Sequence, residues 1–214
     1  MVNLIPTKDE WNKALCERHG EDVQKKVSSG AVAICGLGGL GSNIAISLVR
    51  AGVGKLILID FDRVDITNLH RQQYKATQFG MYKTDALADN LREIAPYIEL
   101  EAYTERITED NAITLLKGAE IICEAFDDAE CKAMLTEIVP TELPGKYLVA
   151  ASGMAGMGVT NSIKTRRITS RFYLSGDETS EVSDGIGLVA PRVALCAAHQ
   201  AHTVLRILSK QFEV

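Results

Sequence analysis

The feature that most constrains the fold is a short apolar run, AVAIC over residues 31–35, that ends on the glycine-rich stretch GLGGLGS over 36–42. An apolar run of that length with no alternation predicts a strand buried on both faces. Helical spacing begins behind it, with Ile44, Leu48 and Val49 on one side and Gly52 as a stop. Gly36, Gly38 and Gly41 therefore form G-x-G-x-x-G between a strand and a helix. The first glycine permits the tight turn, the second lets a phosphate approach the backbone, and the third lets the helix pack on the strand. The alternative is a tight turn with no ligand, and the motif alone does not name the nucleotide.

The rest of the chain repeats this alternation. Residues 55–59 (KLILI), 98–103, 120–124 (EIICE) and 146–151 (KYLVAA) are predicted strands, and 82–95, 109–117 and 129–139 are predicted helices. That order predicts an α/β fold, a Rossmann-like parallel sheet with helices on both faces. Beyond Ser152 the texture changes: 161–167 and 171–174 read as antiparallel strands continuing the sheet. Residues 176–187 (GDETSEVSDGIG) read as a mobile crossover loop, and 189–208 as a closing helix rich in alanine. Ahead of the sheet, residues 8–28 read as one or two helical turns, so 1–28 is a helical extension and 29–214 the main domain.

Composition excludes several classes. At 214 residues with a 46% hydrophobic fraction, one domain with a real core is expected. A formal net charge of −5 carries no footprint for nucleic acid. The N-terminus lacks a basic segment followed by an apolar run, and no stretch approaches the ~20 apolar residues of a membrane span. A soluble cytoplasmic protein is expected. The five cysteines, 16, 35, 123, 131 and 196, are odd in number and no pair is spaced CxxC, which argues against disulfides and a four-thiolate zinc site. Cys35 and Cys123 read as small buried hydrophobes, and Cys131 and Cys196 as structural helix residues.

The chemistry gathers after the second strand. Asp60 ends that strand about twenty residues past the glycine turn, where a carboxylate accepts hydrogen bonds from ribose hydroxyls. Taken alone, this pair favours a nicotinamide dinucleotide. Asp62, Asn68, Arg71 and Gln72 then follow in a loop where a dehydrogenase would continue into a helix, and Lys83 opens the next helix. An arginine and a lysine converging on a helix N-terminus suit a triphosphate under attack, although solvated surface charges are the alternative. There is no Walker lysine motif. Asp127 and Asp128 follow the fourth strand at the carboxyl edge of the sheet. One can hold Mg²⁺ and the other can cap a helix. His199 and His202, three apart on the last helix, read as a packed face rather than a metal pair, and His70 as a surface residue.

GxGGxGS over 36–42, DxDxVxxxNLxRQ over 60–72 and GxxK over 80–83, in this order, resemble the ThiF/MoeB/HesA family, relatives of the ubiquitin-activating enzymes. RHG at 18–20, CEAFDDAECK at 123–132, VAASGMAG at 149–156 and APRVALCAAHQA at 190–201 are similar to its short ThiF-type members, adenylyltransferases for the sulfur carrier ThiS in thiamine biosynthesis. The resemblance runs from about residue 27 to the C-terminus. It implies that ATP lies over Gly36, Gly38, Gly39, Gly41 and Ser42 with Asp60 on the ribose. Arg71 and Lys83 hold the phosphates, Asp62, Asn68 and Gln72 line the pocket, and Asp127 positions Mg²⁺. A small ubiquitin-fold carrier presents its C-terminal Gly-Gly carboxylate, which attacks the α-phosphate and expels pyrophosphate. The resemblance also implies a homodimer in which Arg18 reaches the neighbour's ATP.

Two departures matter. Many relatives carry two CxxC zinc pairs, absent here, so no zinc is expected. Some use a cysteine near the crossover loop, and 176–187 has none, so sulfur delivery is assigned to another protein. The competing readings are a nicotinamide-dependent oxidoreductase, a non-enzymatic adaptor, and activation of another carboxylate (a molybdopterin carrier, a tRNA-linked group or a peptide C-terminus).

Overall fold

The structure, a computed structural model, describes residues 5–182 and 185–214. The first four residues of the expected extension, and Ser183 and Asp184 of the expected crossover loop, lie outside the described residues.

The segment ahead of the sheet forms two full helices, α1 (Lys8–His19) and α2 (Glu21–Ser28), rather than one or two turns. A capping box explains the gain. Thr7 Oγ1 accepts from Glu10 N while the Glu10 carboxylate accepts from Thr7 N at 2.8 Å. Helix α1 buries no side chain; α2 buries Gln24 and Val27, and Gln24 Nε2 donates to Gly52 O across the start of the sheet.

The core is a seven-stranded sheet in the order β3-β2-β1-β4-β5-β7-β6. Its strands are β1 (Ala31–Cys35), β2 (Lys55–Ile59), β3 (Glu99–Tyr103), β4 (Ile121–Glu124), β5 (Tyr147–Ala151), β6 (Lys164–Arg167) and β7 (Phe172–Gly176). The first five are parallel to their neighbours, β7 joins β5 in parallel, and β6 pairs antiparallel with β7. The antiparallel pairing expected beyond Ser152 is therefore the β6–β7 pair at one edge. Between the strands lie α3 (Gly39–Arg50), α4 (Lys83–Ile94), α5 (Glu109–Leu116) and α6 (Ala129–Glu142), and α7 (Ala190–Leu208) closes the chain.

Alternating side chains divide each strand between two cores. Val32, Ile34, Leu56, Leu58, Ile121 and Cys123 point to the larger one with residues of α3, α4 and α7. Ala33, Cys35, Ile57, Ile59 and Ile122 point to the smaller one with α5 and α6. Continuous apolar strands were the right signature for a sheet covered on both faces. Helix α3 packs on α7, Ile44, Ala45 and Leu48 facing the same core as Val193, Cys196, Ala197, Ala201 and Val204. The alanines allow the two axes to approach closely. Among the described residues, no helix is long and apolar enough to cross a membrane.

Strand order reverses at the β1–β4 pair, and a crevice opens outside the carboxyl ends of these strands, as is general for open α/β sheets. Leu48, near the C-terminal end of α3 and away from that crevice, is fully buried. Leu48→Ala is expected to cost about 2–5 kcal/mol of unfolding free energy, read from urea denaturation; a loss below about 1 kcal/mol would mean that the α3–α7 contact is loose.

Candidate functional site

Helix α3 begins at Gly39, three residues earlier than its periodicity suggested, because glycines have no side chain to reveal the pattern. Gly36 has a φ of +90°, and a Cβ there would meet Ala125 O at 2.8 Å. At Gly41 a Cβ would sit 1.9 Å from Gly36 O, so the turn folds back on itself in a way only glycine permits. The first helical hydrogen bond runs from Ser42 N to Gly38 O, leaving the amides of Gly39, Leu40 and Gly41 as orphan donors of a helix N-terminus. Gly38, by contrast, has open space beside it, with Gln72 Nε2 the nearest atom to a notional Cβ at 3.7 Å.

A cavity of about 590 Å³ lies over this turn. Its walls include Gly36, Gly38, Gly39, Asp60, Asp62, Asn68, Arg71, Gln72, Lys83 and Asp127, so residues spread over ninety positions of sequence converge on one volume. Two expected members stand apart from it. Ser42 is fully buried and its hydroxyl is consumed by Gly38 O at 2.6 Å and Gln73 N at 3.1 Å, which makes it a brace for the turn. Gly41 acts through its close approach to Gly36. Arg18 is exposed on α1 and is not part of this cavity's wall.

Asp60 has a task that sequence reasoning missed. Its two carboxylate oxygens accept from Leu37 N at 2.6 Å and Asp62 N at 2.8 Å, clamping the glycine turn to the end of β2. Burial pushes its carboxyl up, against the pull of Lys83 and the two amides. The more accessible carboxylate is Asp62, half exposed and bonded to Lys83 Nζ at 2.7 Å. Lys83 itself is buried, at the first position of α4, with Asp60 at 3.8 Å on its other side. The lysine thus stands between two aspartates instead of free in the pocket.

Two polar atoms in this wall are buried without a hydrogen-bond partner among the described residues, Arg71 Nε and Gln72 Oε1. Such atoms cost free energy unless a ligand or water completes them. On the opposite wall the two aspartates divide their roles. Asp128 caps α6, accepting from Cys131 N at 2.8 Å. No hydrogen bond or ion pair engages the Asp127 carboxylate among the described residues, and it faces the cavity. Among the described residues no three His, Cys, Asp or Glu side chains gather as a metal cluster. His199 bonds Thr165 Oγ1 at 3.0 Å and His70 bonds backbone carbonyls.

The wall also holds Phe61, Arg106, Phe126, Cys131 and Lys132. Arg106 and Phe61 follow the carboxyl ends of β3 and β2, a position that topology makes important but that no motif announces. Lys132 Nζ bonds both oxygens of Glu124 at 2.9 and 3.0 Å and Ala151 O at 3.2 Å. Glu124 is fully buried, so burial pushes its carboxyl up while Lys132 pulls it down. Cys35, Cys123 and Cys196 are buried, with burial driving the Cys196 thiol up to about 12. Cys131, read as structural, instead lines the cavity at the third position of α6.

Residues 12–214 match the model of the ThiF family. The chain belongs to the ThiF family. It is 29% identical over 195 residues to the adenylyltransferase and sulfurtransferase UBA4 of Lodderomyces elongisporus, covering 88% of this chain and 42% of that protein. With the sulfur carrier protein adenylyltransferase of Thermus thermophilus it shares 32% identity over 149 residues, 65% of this chain and 54% of the relative. The chain therefore spans only about half the length of these curated relatives. Among solved structures, the E. coli tRNA N6-threonylcarbamoyladenosine dehydratase TcdA in complex with ATP superposes with a TM-score of 0.85 at 21% identity, covering 97% of this chain and 98% of that one. At that identity the likeness is one of fold, the Rossmann-like ThiF fold.

Two outcomes follow from the geometry. Arg71→Ala removes a guanidinium whose Nε has no protein partner, so stability is expected to stay close to the parent's while ATP affinity falls about ten- to hundredfold in calorimetry; unaltered affinity would place the nucleotide elsewhere. Burial pushes the Cys131 thiol up, with the Arg106 guanidinium pulling the other way. Its alkylation by iodoacetamide at neutral pH is expected to be slow and slower still with ATP present, as read by peptide mass spectrometry. Equal labelling with and without ATP would count against occupancy of this cavity.

Proposed function

We propose that this chain uses ATP to adenylylate the C-terminal Gly-Gly carboxylate of a small ubiquitin-fold sulfur carrier, a ThiS-like protein of thiamine biosynthesis, releasing pyrophosphate. The observation that carries the reading is the pair of unpartnered buried atoms, Arg71 Nε and Gln72 Oε1, beside the orphan amides of the α3 N-terminus. Arg71 Nε and the helix amides are donors that suit a phosphate chain, whereas Gln72 Oε1 is an acceptor that a ligand hydroxyl, amine or water would complete. The names of the relatives, which include a sulfur carrier protein adenylyltransferase, support the class of acceptor.

In this reading the glycine turn takes the phosphates, and Arg71 and Lys83 neutralise charge as the triphosphate is displaced. Lys83 would exchange its Asp62 contact for phosphate, leaving Asp62 free to accept from the ribose. Asn68 and Gln72 line the base of the site. The Asp127 carboxylate suits Mg²⁺, which takes one or two carboxylates and completes its shell with phosphate oxygens and water. When bound, the ion would supply charge neutralisation on the phosphates. The acceptor carboxylate attacks the α-phosphorus, the bond to pyrophosphate breaks, and a carrier acyl-adenylate remains. No protein nucleophile is needed, since orientation and electrostatics suffice.

The acceptor has its own entrance. A second cavity, of about 510 Å³, meets the first at Ala155, Ser180 and Glu181. Exposed Met157, Val159 and Ile186 stand around it and exposed Val182 stands on the first cavity, an apolar rim suited to a carrier protein. We read residues 1–28 as an extension that places Arg18 against the ATP of a second copy in a cytoplasmic homodimer, and 29–214 as the adenylating domain. The oxidoreductase reading rested on the glycine turn and Asp60 alone and gives no task to Arg71, Gln72, Lys83 and Asp127, which line the same cavity.

The test is ATP–pyrophosphate exchange with Mg²⁺ and a recombinant ThiS-like protein. Exchange that depends on the carrier and falls at least about hundredfold in Arg71→Ala is expected. A folded, ATP-binding protein without exchange would overturn the reading. Exchange with a molybdopterin-type carrier alone would reassign the acceptor.

A further inference from the structure

The second cavity is built around one arginine. Arg192 lies in the first turn of α7 and is 6% exposed. Its Nε donates to Ala155 O at 3.1 Å, and Nη1 to Gly158 O at 3.2 Å and Val159 O at 3.4 Å. Nη2 donates to Ser162 Oγ at 3.2 Å and to the buried Asp177 carboxylate. Asp177 Oδ1 in turn accepts from the amides of Thr179 and Ser180 at 3.0 and 2.9 Å, and from Ser180 Oγ. Ser180 Oγ then accepts from Ala155 N at 3.1 Å, which closes the circuit.

Three segments thereby meet at one guanidinium: the start of α7, residues 155–162 after β5, and the arch 177–180 after β7. The last two are the walls of the second cavity, and Ala155 and Ser180 stand at its junction with the nucleotide cavity. The start of the expected mobile loop is therefore pinned. Burial opposes the Asp177 charge, but the Ser180 and Thr179 amides, the Ser180 hydroxyl and Arg192 together pull its carboxyl down to about 2. The arch thus keeps its charged anchor throughout the neutral range. Neither Arg192 nor Asp177 lines the nucleotide cavity, whereas the next residue, Val193, does.

We propose that Arg192, through Asp177 and Ser180, is a positioning residue for the acceptor half of the reaction, holding open and in register the passage by which the acceptor carboxylate reaches the nucleotide. The proposal rests on the function argued above. A planar fork with five donors spans three backbone carbonyls, a hydroxyl and a carboxylate. A lysine keeps the charge but has three donors on one atom and cannot bridge the same groups. Loss of the fork should therefore loosen both cavity walls while leaving the glycine turn, Asp60 and Lys83 intact.

Arg192→Lys separates these effects. Hydrogen exchange of residues 155–162 and 177–182 is expected to accelerate at least about tenfold. The KM for the ThiS-like carrier in pyrophosphate exchange should rise about tenfold or more, while ATP affinity by calorimetry stays within about twofold. Ser180→Ala removes only the hydroxyl bridge and should shift the same two readouts in the same direction, by about threefold; it carries the test if Arg192→Lys does not fold. Unchanged exchange in both segments, or ATP affinity falling in step with carrier affinity, overturns the proposal. A wild-type chain without carrier-dependent exchange overturns the function beneath it, and hydrogen exchange tells that failure from failure of the tether.

Discussion

The structure depends on a backbone-to-backbone approach that no side chain could tolerate. Gly41 lies so close to the Gly36 carbonyl that a Cβ would sit 1.9 Å from it, and this closeness presses the start of α3 against the end of β1. The turn cannot hold that shape alone. Asp60 holds it from β2 through Leu37 N, Tyr74 holds it through a hydroxyl donated to Leu37 O at 2.7 Å, and Ser42 braces it from within. A glycine turn supported on three sides leaves the helix amides pointing at one volume, which is what preorganisation means at the level of atoms.

The two lysines around that volume are each held by carboxylates. Lys83 stands between Asp60 and Asp62 on one wall, and Lys132 is held by Glu124 on the other. Burial raises the cost of each charge, so each survives only because its counter-ion is close. The result is a site whose lysines are paired, while Arg71 Nε, Gln72 Oε1 and the Asp127 carboxylate lack a protein partner among the described residues.

Helix α7 links the two halves of the structure. Gln200, fully buried, donates to Glu124 O at 3.0 Å and Val149 O at 3.1 Å, tying the helix to the end of β4 and the middle of β5. Eight residues earlier, Arg192 ties the same helix to the walls of the second cavity. The helix also covers α3. A single long element thus sets the distance between the glycine turn and the arch, and hence between the two cavities.

The sequence by itself determined the parallel sheet, the glycine turn and ten of the cavity residues that chemistry singles out, among them Asn68, Arg71, Gln72, Lys83 and Asp127. These were legible because periodicity and spacing are local properties: strands buried on both faces are continuously apolar, and loop residues near a phosphate turn carry the charges it needs. Only the tertiary structure decided how those groups are used. It showed that Asp60 clamps the glycine turn, that Ser42 braces it and that Cys131, read as a structural helix residue, lines the cavity. It also brought Arg192 to Asp177 and Lys132 to Glu124. Those pairings join residues 15 and 8 positions apart across a strand or helix boundary. No periodicity spans such a boundary, and a hydrogen bond depends on where two elements pack, which no local pattern records.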